Sequence, residues 1–361
     1  MGSRYNRRDF LRIAGTGLAG LTLLELSACG LGRGTSGAPY TVGVSNGFIG
    51  SEWRTQMIQD MEQANEEYKR DGLTKDLVVQ SADVDVPGQA QQIRNLVNRG
   101  VNGLVINPNS QSGLNPAIKQ AKDAGVTVVA VDQEVSAPEA INVVIDQTEW
   151  ARISARWLVD QLGGKGNIVI INGVAGHPAN EARYRGVKEV LAQHPGIKVL
   201  NVSNANWDQT TGQQVMSNLL AAYPNKIDGV WTQDGMAEGA LRAVMAANPP
   251  KWPVMVGEAR AGYLKLWHQI KQQRPSFTSI GVINPPGIGV SGLRVLVELL
   301  QGKKLKQGLL KGQFGNSLYV PIPGVITEEN FQQEYEQIKD KPDSYTVDGM
   351  ITRQQAEQYF Q

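Results

Sequence analysis

Short apolar runs alternate with longer stretches of helical period along most of this chain, with polar turns between them. The pattern predicts repeated strand–helix units. A first series of predicted strands covers residues 41–44, 77–80, 103–106, 126–131 and 141–145. A second series covers residues 167–171, 198–202, 229–232, 254–257 and 277–282. Strands that are separated by helices form parallel sheets, so we expect an α/β protein with two sheets of about five strands each.

Polar and aromatic residues follow many of the predicted strands directly. In open parallel sheets, ligands bind beyond the carboxyl ends of the strands, so residues at these positions are candidate ligand-binding residues. The candidates are Asn46, Phe48, Asn107, Asp132 and Gln133 in the first series, and Trp207, Gln233, Asp234, Glu258 and Asn284 in the second. Two such edges that face each other would form a cleft of amides, carboxylates and aromatic rings.

The first 28 residues have the pattern of an export signal. Arg7 and Arg8 precede an apolar run, residues 13–24, that is too short to span a bilayer. The adjacent arginines resemble those of twin-arginine signals, which export proteins that are already folded. We therefore predict that residues 1–28 are a signal peptide.

The apolar run ends in Leu26-Ser27-Ala28-Cys29, which resembles the lipobox of bacterial lipoproteins. We expect Cys29, the one cysteine of the chain, to carry lipid, and the alternative is a buried free thiol. Residues 29–39 are then the lipidated cysteine and a flexible tether rich in Gly, Ser and Thr. The expected location is the periplasmic or cell-surface side, with the lipid anchored in the membrane.

Charge and composition argue against several other classes of function. Lys and Arg total 35 against 34 acidic residues, so the chain has no excess of positive charge for binding nucleic acid. With three histidines and one cysteine, we expect no metal site, and we expect no cofactor. Common hydrolase and phosphate-loop motifs are absent from the sequence, so we expect no enzyme. The alternative is a secreted glycosidase that uses two carboxylates among Asp132, Asp234 and Glu258.

Four segments carry a resemblance to a known family: residues 100–108, 129–132, 173–186 and 234–240. In order and spacing they resemble the periplasmic sugar-binding proteins of type I fold, similar to the ribose-, galactose- and xylose-binding proteins of ABC importers. The resemblance extends from Tyr40 to about Val320. It implies two Rossmann-like lobes with parallel sheets, joined by three hinge crossings.

The resemblance also implies where the lobes begin and end. We expect crossings near Asp146, near Ile283-Asn284 and near Val320. The expected first lobe consists of residues 40–146 and 284–319, and the second consists of residues 147–283 and 320–361, including a long tail.

Several residues have roles that the resemblance implies. Trp53 and Trp207 align with aromatics that stack on sugars, and the alternative for both is core packing. Arg183 offers a fixed fork of donors to ligand oxygens. Asp132 and Asp234 would accept hydrogen bonds from ligand hydroxyls, and the alternative for each is a helix N-cap. For Glu258 there are two alternatives: it binds the ligand, or it forms an ion pair with Arg260.

The resemblance implies an extracytoplasmic solute-binding protein of an ABC importer. It would capture a monosaccharide or polyol in the cleft by hinge closure and deliver it to the permease subunits, and we expect a monomer. Gln133 and Gln233 stand where the family often has Arg and Asn, which argues against ribose itself. A different small polar ligand, such as a signal molecule, is the alternative within this fold.

Overall fold

The apolar runs form strands of two sheets in the computed structural model, which describes residues 37–50 and 52–361. The first sheet contains β1 (Val42–Asn46), β2 (Val78–Ser81), β3 (Gly103–Asn107), β4 (Thr127–Val131), β5 (Ala140–Val144), β11 (Leu310–Lys311) and β12 (Ser317–Tyr319). The second contains β6 (Gly166–Asn172), β7 (Ile197–Asn204), β8 (Gly229–Thr232), β9 (Val254–Val256), β10 (Ser279–Val282) and β13 (Val325–Ile326). The export signal and Cys29 lie outside the described residues.

Each sheet is mostly parallel, which confirms the predicted fold of two α/β lobes. The spatial order is β11-β12-β5-β4-β3-β1-β2 in the first sheet and β13-β10-β9-β8-β6-β7 in the second. Only the edge strands β11 and β13 pair antiparallel among the described residues. The sequence pattern did not predict β11, β12 and β13, because strands of two or three residues are too short to show a periodicity.

Helices cover both faces of the sheets. They are α1 (Glu52–Arg70), α2 (Val86–Asn98), α3 (Asn115–Asp123), α4 (Gln147–Gln161), α5 (Pro178–Ala192), α6 (Gln209–Ala222), α7 (Ala237–Ala247), α8 (Ala261–Gln273), α9 (Ile288–Leu300), α10 (Phe331–Ile338) and α11 (Arg353–Glu357). Because helices pack on each face, β1 and β3 are buried along their whole length. The described helices include no candidate membrane span.

As far as β13, the chain passes between the lobes at three short segments. After β5 it enters the second lobe at Asp146, whose Oδ1 accepts the N–H groups of Thr148 and Glu149 at 2.9 Å and so caps α4. After β10 it returns through residues 283–287 to α9, which packs on β4 of the first sheet. After β12 it crosses again to β13.

We expect the whole tail to lie in the second lobe, but in the structure its last residues do not. Its helix α10 packs there, with the rings of Phe331 and Trp267 4.4 Å apart. The last residues then return to the first lobe, where Phe360 forms a bridge with Leu305 and α11 packs on α9. The assignment of residues 351–361 to the second lobe is therefore wrong, because this segment packs on Leu305 and α9 of the first lobe.

Candidate functional site

A cavity of about 350 Å³ lies between the two lobes, at the carboxyl ends of both sheets. This is the position where parallel sheets leave room for a ligand. Its lining consists of Phe48, Gly50, Glu52, Trp53, Arg54, Asp132, His177, Ala179, Arg183, Trp207, Asp208, Gln209, Asp234, Gly235, Glu258, Ala259, Arg260, Asn284 and Thr346. Each lobe contributes one wall, and the tail contributes Thr346.

The structure brings most of the predicted site residues to this cavity. Those that line it are Phe48, Trp53, Asp132, Arg183, Trp207, Asp234, Glu258 and Asn284. The other four, Asn46, Asn107, Gln133 and Gln233, lie beneath the lining and are almost fully buried. The four buried residues are all amides at strand ends.

In the first lobe, the buried amides support the wall by hydrogen bonding. Asn46 Oδ1 accepts from Arg54 Nη1 at 2.8 Å, so this amide positions a cation that does line the cavity. Asn107 Oδ1 accepts from Gln133 Nε2 at 3.2 Å. Since amides both donate and accept, they join neighbouring strand ends by hydrogen bonds.

In the second lobe, Gln233 holds an aromatic side chain in the same way. Its Oε1 accepts from Trp207 Nε1 at 2.9 Å, and its Nε2 donates to Asn180 Oδ1 at 2.8 Å. The indole ring lies directly against Gly173, where an added Cβ would be 2.2 Å from ring atoms. Trp207 itself has a positive φ of 55°, an uncommon conformation for a bulky residue. The ring is therefore fixed before any ligand arrives.

Arg183 joins the acidic groups of both lobes at the centre of the site. Its Nε donates to Gln147 Oε1 at 2.8 Å, and its Nη1 contacts Asp234 Oδ2 at 3.3 Å. The guanidinium stacks over the Trp150 ring, 4.1 Å from its centroid. Gln147 in turn donates to Asp132 Oδ1 at 3.5 Å. A buried, rigid fork of donors thus stands between two carboxylates.

Burial changes the pKa values of the central groups. It raises the pKa of Asp234 to about 7, and the nearby Glu258 and Asp132 carboxylates contribute to the rise, whereas Arg183 opposes it. The pKa of Asp132 is also raised by burial, against the opposing effect of Arg54 and Arg183. Burial lowers the pKa of His177 to about 3, with both arginines acting in the same direction, so its ring is neutral.

Glu258 and Arg260 form a second charged group at one end of the cavity. Arg260 Nε lies 3.7 Å from Glu258 Oε1, which supports the predicted ion pair. Glu258 also accepts the backbone N–H groups of Gly235 and Glu238. Arg260 contacts Glu52 of the first lobe at 3.4 Å, so this pair bridges the opening of the cleft.

Aromatic rings form the apolar parts of the walls. The edge of His177 packs on Trp207, with 4.6 Å between ring centroids and 85° between their planes. On the opposite wall, Trp53 Nε1 donates to the carbonyl of Asn284 at 2.8 Å. The Arg54 guanidinium lies 5.5 Å from the centroid of the Phe48 ring. Such rings can cover the C–H faces of a polyhydroxylated ligand.

The structure also tests the alternatives for the two aspartates. No helix begins directly after Asp132, which has a left-handed φ of 68°. Helix α7 follows Asp234, but its N-cap residue is Met236 and no side chain caps it. Neither aspartate is an N-cap. Trp150, Trp231 and Trp267, by contrast, are fully buried in the core.

Sequence reasoning missed several lining residues, among them Arg54, His177 and Thr346. Arg54 directly follows Trp53 and lies in the first turn of α1, so its position beside Glu52 and Trp53 could have indicated it. His177 stands in the family-like segment 173–186, just before α5 begins. No pattern in the sequence indicated Thr346, because it lies in the tail, outside the strand–helix units.

The chemistry of this lining suits an uncharged ligand with many hydroxyls. Five carboxyl side chains line the cavity (Glu52, Asp132, Asp208, Asp234 and Glu258) against three guanidinium groups (Arg54, Arg183 and Arg260). An anionic ligand would meet an excess of negative charge. Among the described residues, no group of three or more His, Cys, Asp or Glu side chains is arranged to hold a metal ion.

Comparisons with known proteins agree with this fold. A model of the periplasmic binding protein domain family matches residues 42–304. The xylitol-binding protein of Mycolicibacterium smegmatis is 29% identical over 94% of this chain and 92% of that protein. The ribose import binding protein RbsB of Bacillus subtilis is 27% identical over 80% of this chain and 93% of its own length. An ABC transporter solute-binding protein of Thermobispora bispora has a TM-score of 0.76 at 27% identity, over 88% of this chain and 94% of that chain.

Proposed function

The chain belongs to the periplasmic binding protein domain family, and on this premise we propose that it captures a monosaccharide or polyol for an ABC importer. The observation that carries the proposal is the cavity between the lobes, where Arg183 is held between Asp132 and Asp234 beside fixed rings. Carboxylates accept hydrogen bonds from hydroxyl groups, and the guanidinium donates to their oxygens. Relatives that are described as binding xylitol and ribose support this class of ligand.

We propose an uncharged ligand rather than an anionic one, because the lining has more carboxyl than guanidinium groups. A thermal-shift screen of the protein without its signal sequence, against sugars, polyols and the sugar acids of equal carbon number, tests this. We expect stabilisation by one or a few uncharged compounds and none by the matched acids. Titration calorimetry of the hits then gives affinities. Preferred binding of a sugar acid would contradict the proposed charge selectivity.

Binding closes the lobes in this proposal. The moving units are residues 40–146 with 284–319 and the end of the tail, and residues 147–283 with 320–350. Arg54 and Asp132 lie on the first wall and Arg183 and Asp234 on the second, so one ligand contacts both sets only when the cleft is closed. Small-angle scattering should show a smaller radius of gyration with saturating ligand, and identical curves would argue for a preformed site.

The protein acts by binding and not by catalysis. The family and the relatives are described as binding proteins, which supports this. Incubation of the protein with its ligand, followed by mass spectrometry, should show no product. Turnover that Asp132→Asn or Glu258→Gln abolishes would favour the glycosidase alternative.

We also propose that the protein is exported through its twin-arginine signal, is anchored by lipid on Cys29, and acts as a monomer with the permease subunits as partners. Arg7→Lys combined with Arg8→Lys should block export. Cys29→Ala should prevent labelling with fatty acid and release the protein from membranes. A Cys29→Ala variant that still takes up labelled fatty acid would show that the lipid is elsewhere.

A further inference from the structure

Residues 343–350 of the tail, here called the strap, run along the side of the cleft beside the second lobe. The N–H of Ala261 donates to the carbonyl of Tyr345 at 2.8 Å, and the N–H of Val347 donates to the carbonyl of Ala259 at 2.8 Å. Thr346 and Arg260 form an antiparallel bridge between these bonds. The strap is therefore held to the loop before α8 in the manner of a paired strand.

The other edge of the strap contacts the first lobe. The amide of Gln56, on α1, donates from Nε2 to the carbonyl of Thr346 at 3.1 Å and accepts the N–H of Thr346 at its Oε1 at 3.0 Å. One side chain thus satisfies both backbone groups of one strap residue. Since Thr346 is bonded to the first lobe and its two neighbours to the second, the strap links the lobes at this point.

The strap is also fixed where it leaves the cleft. Asp348 Oδ1 accepts the N–H of Gly287 at 2.6 Å, next to the start of α9. Gly349 packs so closely on the third crossing that an added Cβ would lie 2.4 Å from Pro323 Cβ. Beyond the strap, Arg353 pairs at 2.6 Å with Asp71, which directly follows α1. The chain therefore crosses between the lobes a fourth time, in contact with the second crossing at Gly287 and with the third at Pro323.

The strap forms part of the ligand cavity. Thr346 lines it beside Arg260, and Arg260 reaches Glu52 on the opposite wall. The link through Gln56 lies one helical turn from Glu52 and Trp53, which also line the cavity. Docking of the strap on α1 and approach of the two walls thus occur at the same place.

We propose that the strap is a wall of the ligand site and a fourth connection that favours the closed arrangement of the lobes, with Gln56 as its positioning residue. The part of this inference that concerns ligand capture rests on the proposed function. Without the Gln56 link, the closed arrangement is less populated. Apparent ligand affinity then falls in proportion to the population of the competent state.

Gln56→Ala tests the proposal, with Gln59→Ala as its matched control, since Gln59 is an exposed glutamine on the same helix. Both changes introduce a good helix former, so both variants should unfold near the wild-type temperature. In calorimetry with the tightest compound of the sugar and polyol screen, Gln56→Ala should bind about tenfold more weakly, because two hydrogen bonds are lost. Small-angle scattering without ligand should show a larger radius of gyration for Gln56→Ala than for the wild type. Gln59→Ala should match the wild type in both measurements.

Equal radii of gyration for the two variants would overturn the link between the lobes. Equal affinities would overturn the contribution of that link to ligand capture. If the wild type binds no compound of the screen, the proposed function fails, and the scattering comparison without ligand still decides whether the strap links the lobes.

Discussion

The two walls of the cleft are built from similar strand ends, but they hold their charges differently. On the second-lobe wall, Glu258 is bonded to backbone N–H groups of its own lobe. Trp207 likewise rests on Gly173 and Gln233 of the same lobe. On the first-lobe wall, Asp132 is next to Gln147, at the start of the second lobe.

This difference suggests that the two walls act at different stages. The second-lobe wall is organised without the first lobe, so substitutions there should change direct contacts with the ligand. On the first-lobe wall, Asp132 gains its contact with Gln147 only when the lobes approach, so substitutions at this contact should act through closure. The predictions below test the second-lobe wall and then the strap, from the largest expected effect to the smallest, whereas Gln56→Ala tests closure from the side of the first lobe.

Arg183→Ala should cause the largest loss of affinity, on the order of a hundredfold, since it leaves buried carboxylates without their partner. Arg183→Lys should not restore binding, because a single ammonium group cannot replace the fork that contacts Gln147 and Asp234. Arg185→Ala is the control: Arg185 lies on the same helix and is exposed. Calorimetry measures all three, and an Arg183→Ala affinity near that of the wild type would place the ligand elsewhere.

Trp207→Ala should weaken binding by about 1–3 kcal/mol, through lost aromatic contact. The matched control is Trp252→Ala, because Trp252 packs on Phe277 in the second lobe, away from the cavity. That control should lower the unfolding temperature without changing affinity. If Trp207→Ala also keeps wild-type affinity, its ring is a structural element and the prebuilt wall contributes little to binding.

Ligand affinity should depend on pH through Asp234. Its pKa is raised to about 7 by burial, so the carboxylate is mostly protonated at pH 6 and mostly ionised at pH 8. Because the ionised form accepts hydroxyl hydrogen bonds, affinity should rise about tenfold over this interval. Asp234→Asn should bind more weakly and show a flatter profile. Affinity that falls with rising pH would mean that the protonated acid donates to the ligand.

Asp348→Asn should have the smallest effect, and on stability rather than on affinity. Burial raises the pKa of Asp348 to about 7, and the nearby Asp60 carboxylate adds to the rise. A folded-state pKa above the unfolded value means that the folded state binds the proton more tightly. This group therefore makes the protein less stable as pH rises from about 4 to 7.

The asparagine variant keeps the oxygen that accepts from Gly287, and it removes the charge. We expect it to be more stable than the wild type at pH 8, by about 1 kcal/mol. Chemical denaturation at pH 5 and pH 8 measures the difference. If the stability of the wild type and of Asp348→Asn depends on pH in the same way, the dependence comes from other buried acids, such as Asp132 and Glu258.

Regular periodicity made most of the fold predictable. The helix expected to follow the first strand runs over Glu52–Arg70 in the structure, and each of the ten predicted strands is present with ends shifted by a few residues. The placement of Asp132 and Asp234 at the cavity followed from one rule, that parallel strands present their carboxyl ends at the same edge. These features depend on the local pattern of apolar and polar residues and on the fixed handedness of strand–helix units, so the sequence alone predicts them.

The sequence by itself therefore determined the two sheets, their ligand-facing edge and most of the acids and rings that line it. Only the tertiary structure decided which polar strand ends face the cavity, since Asn46, Asn107, Gln133 and Gln233 turn to support their neighbours. It also decided the path of the tail, which carries Thr346 to the cleft and Phe360 to the first lobe. Such contacts join residues far apart in sequence, and they depend on packing between surfaces that no local periodicity encodes.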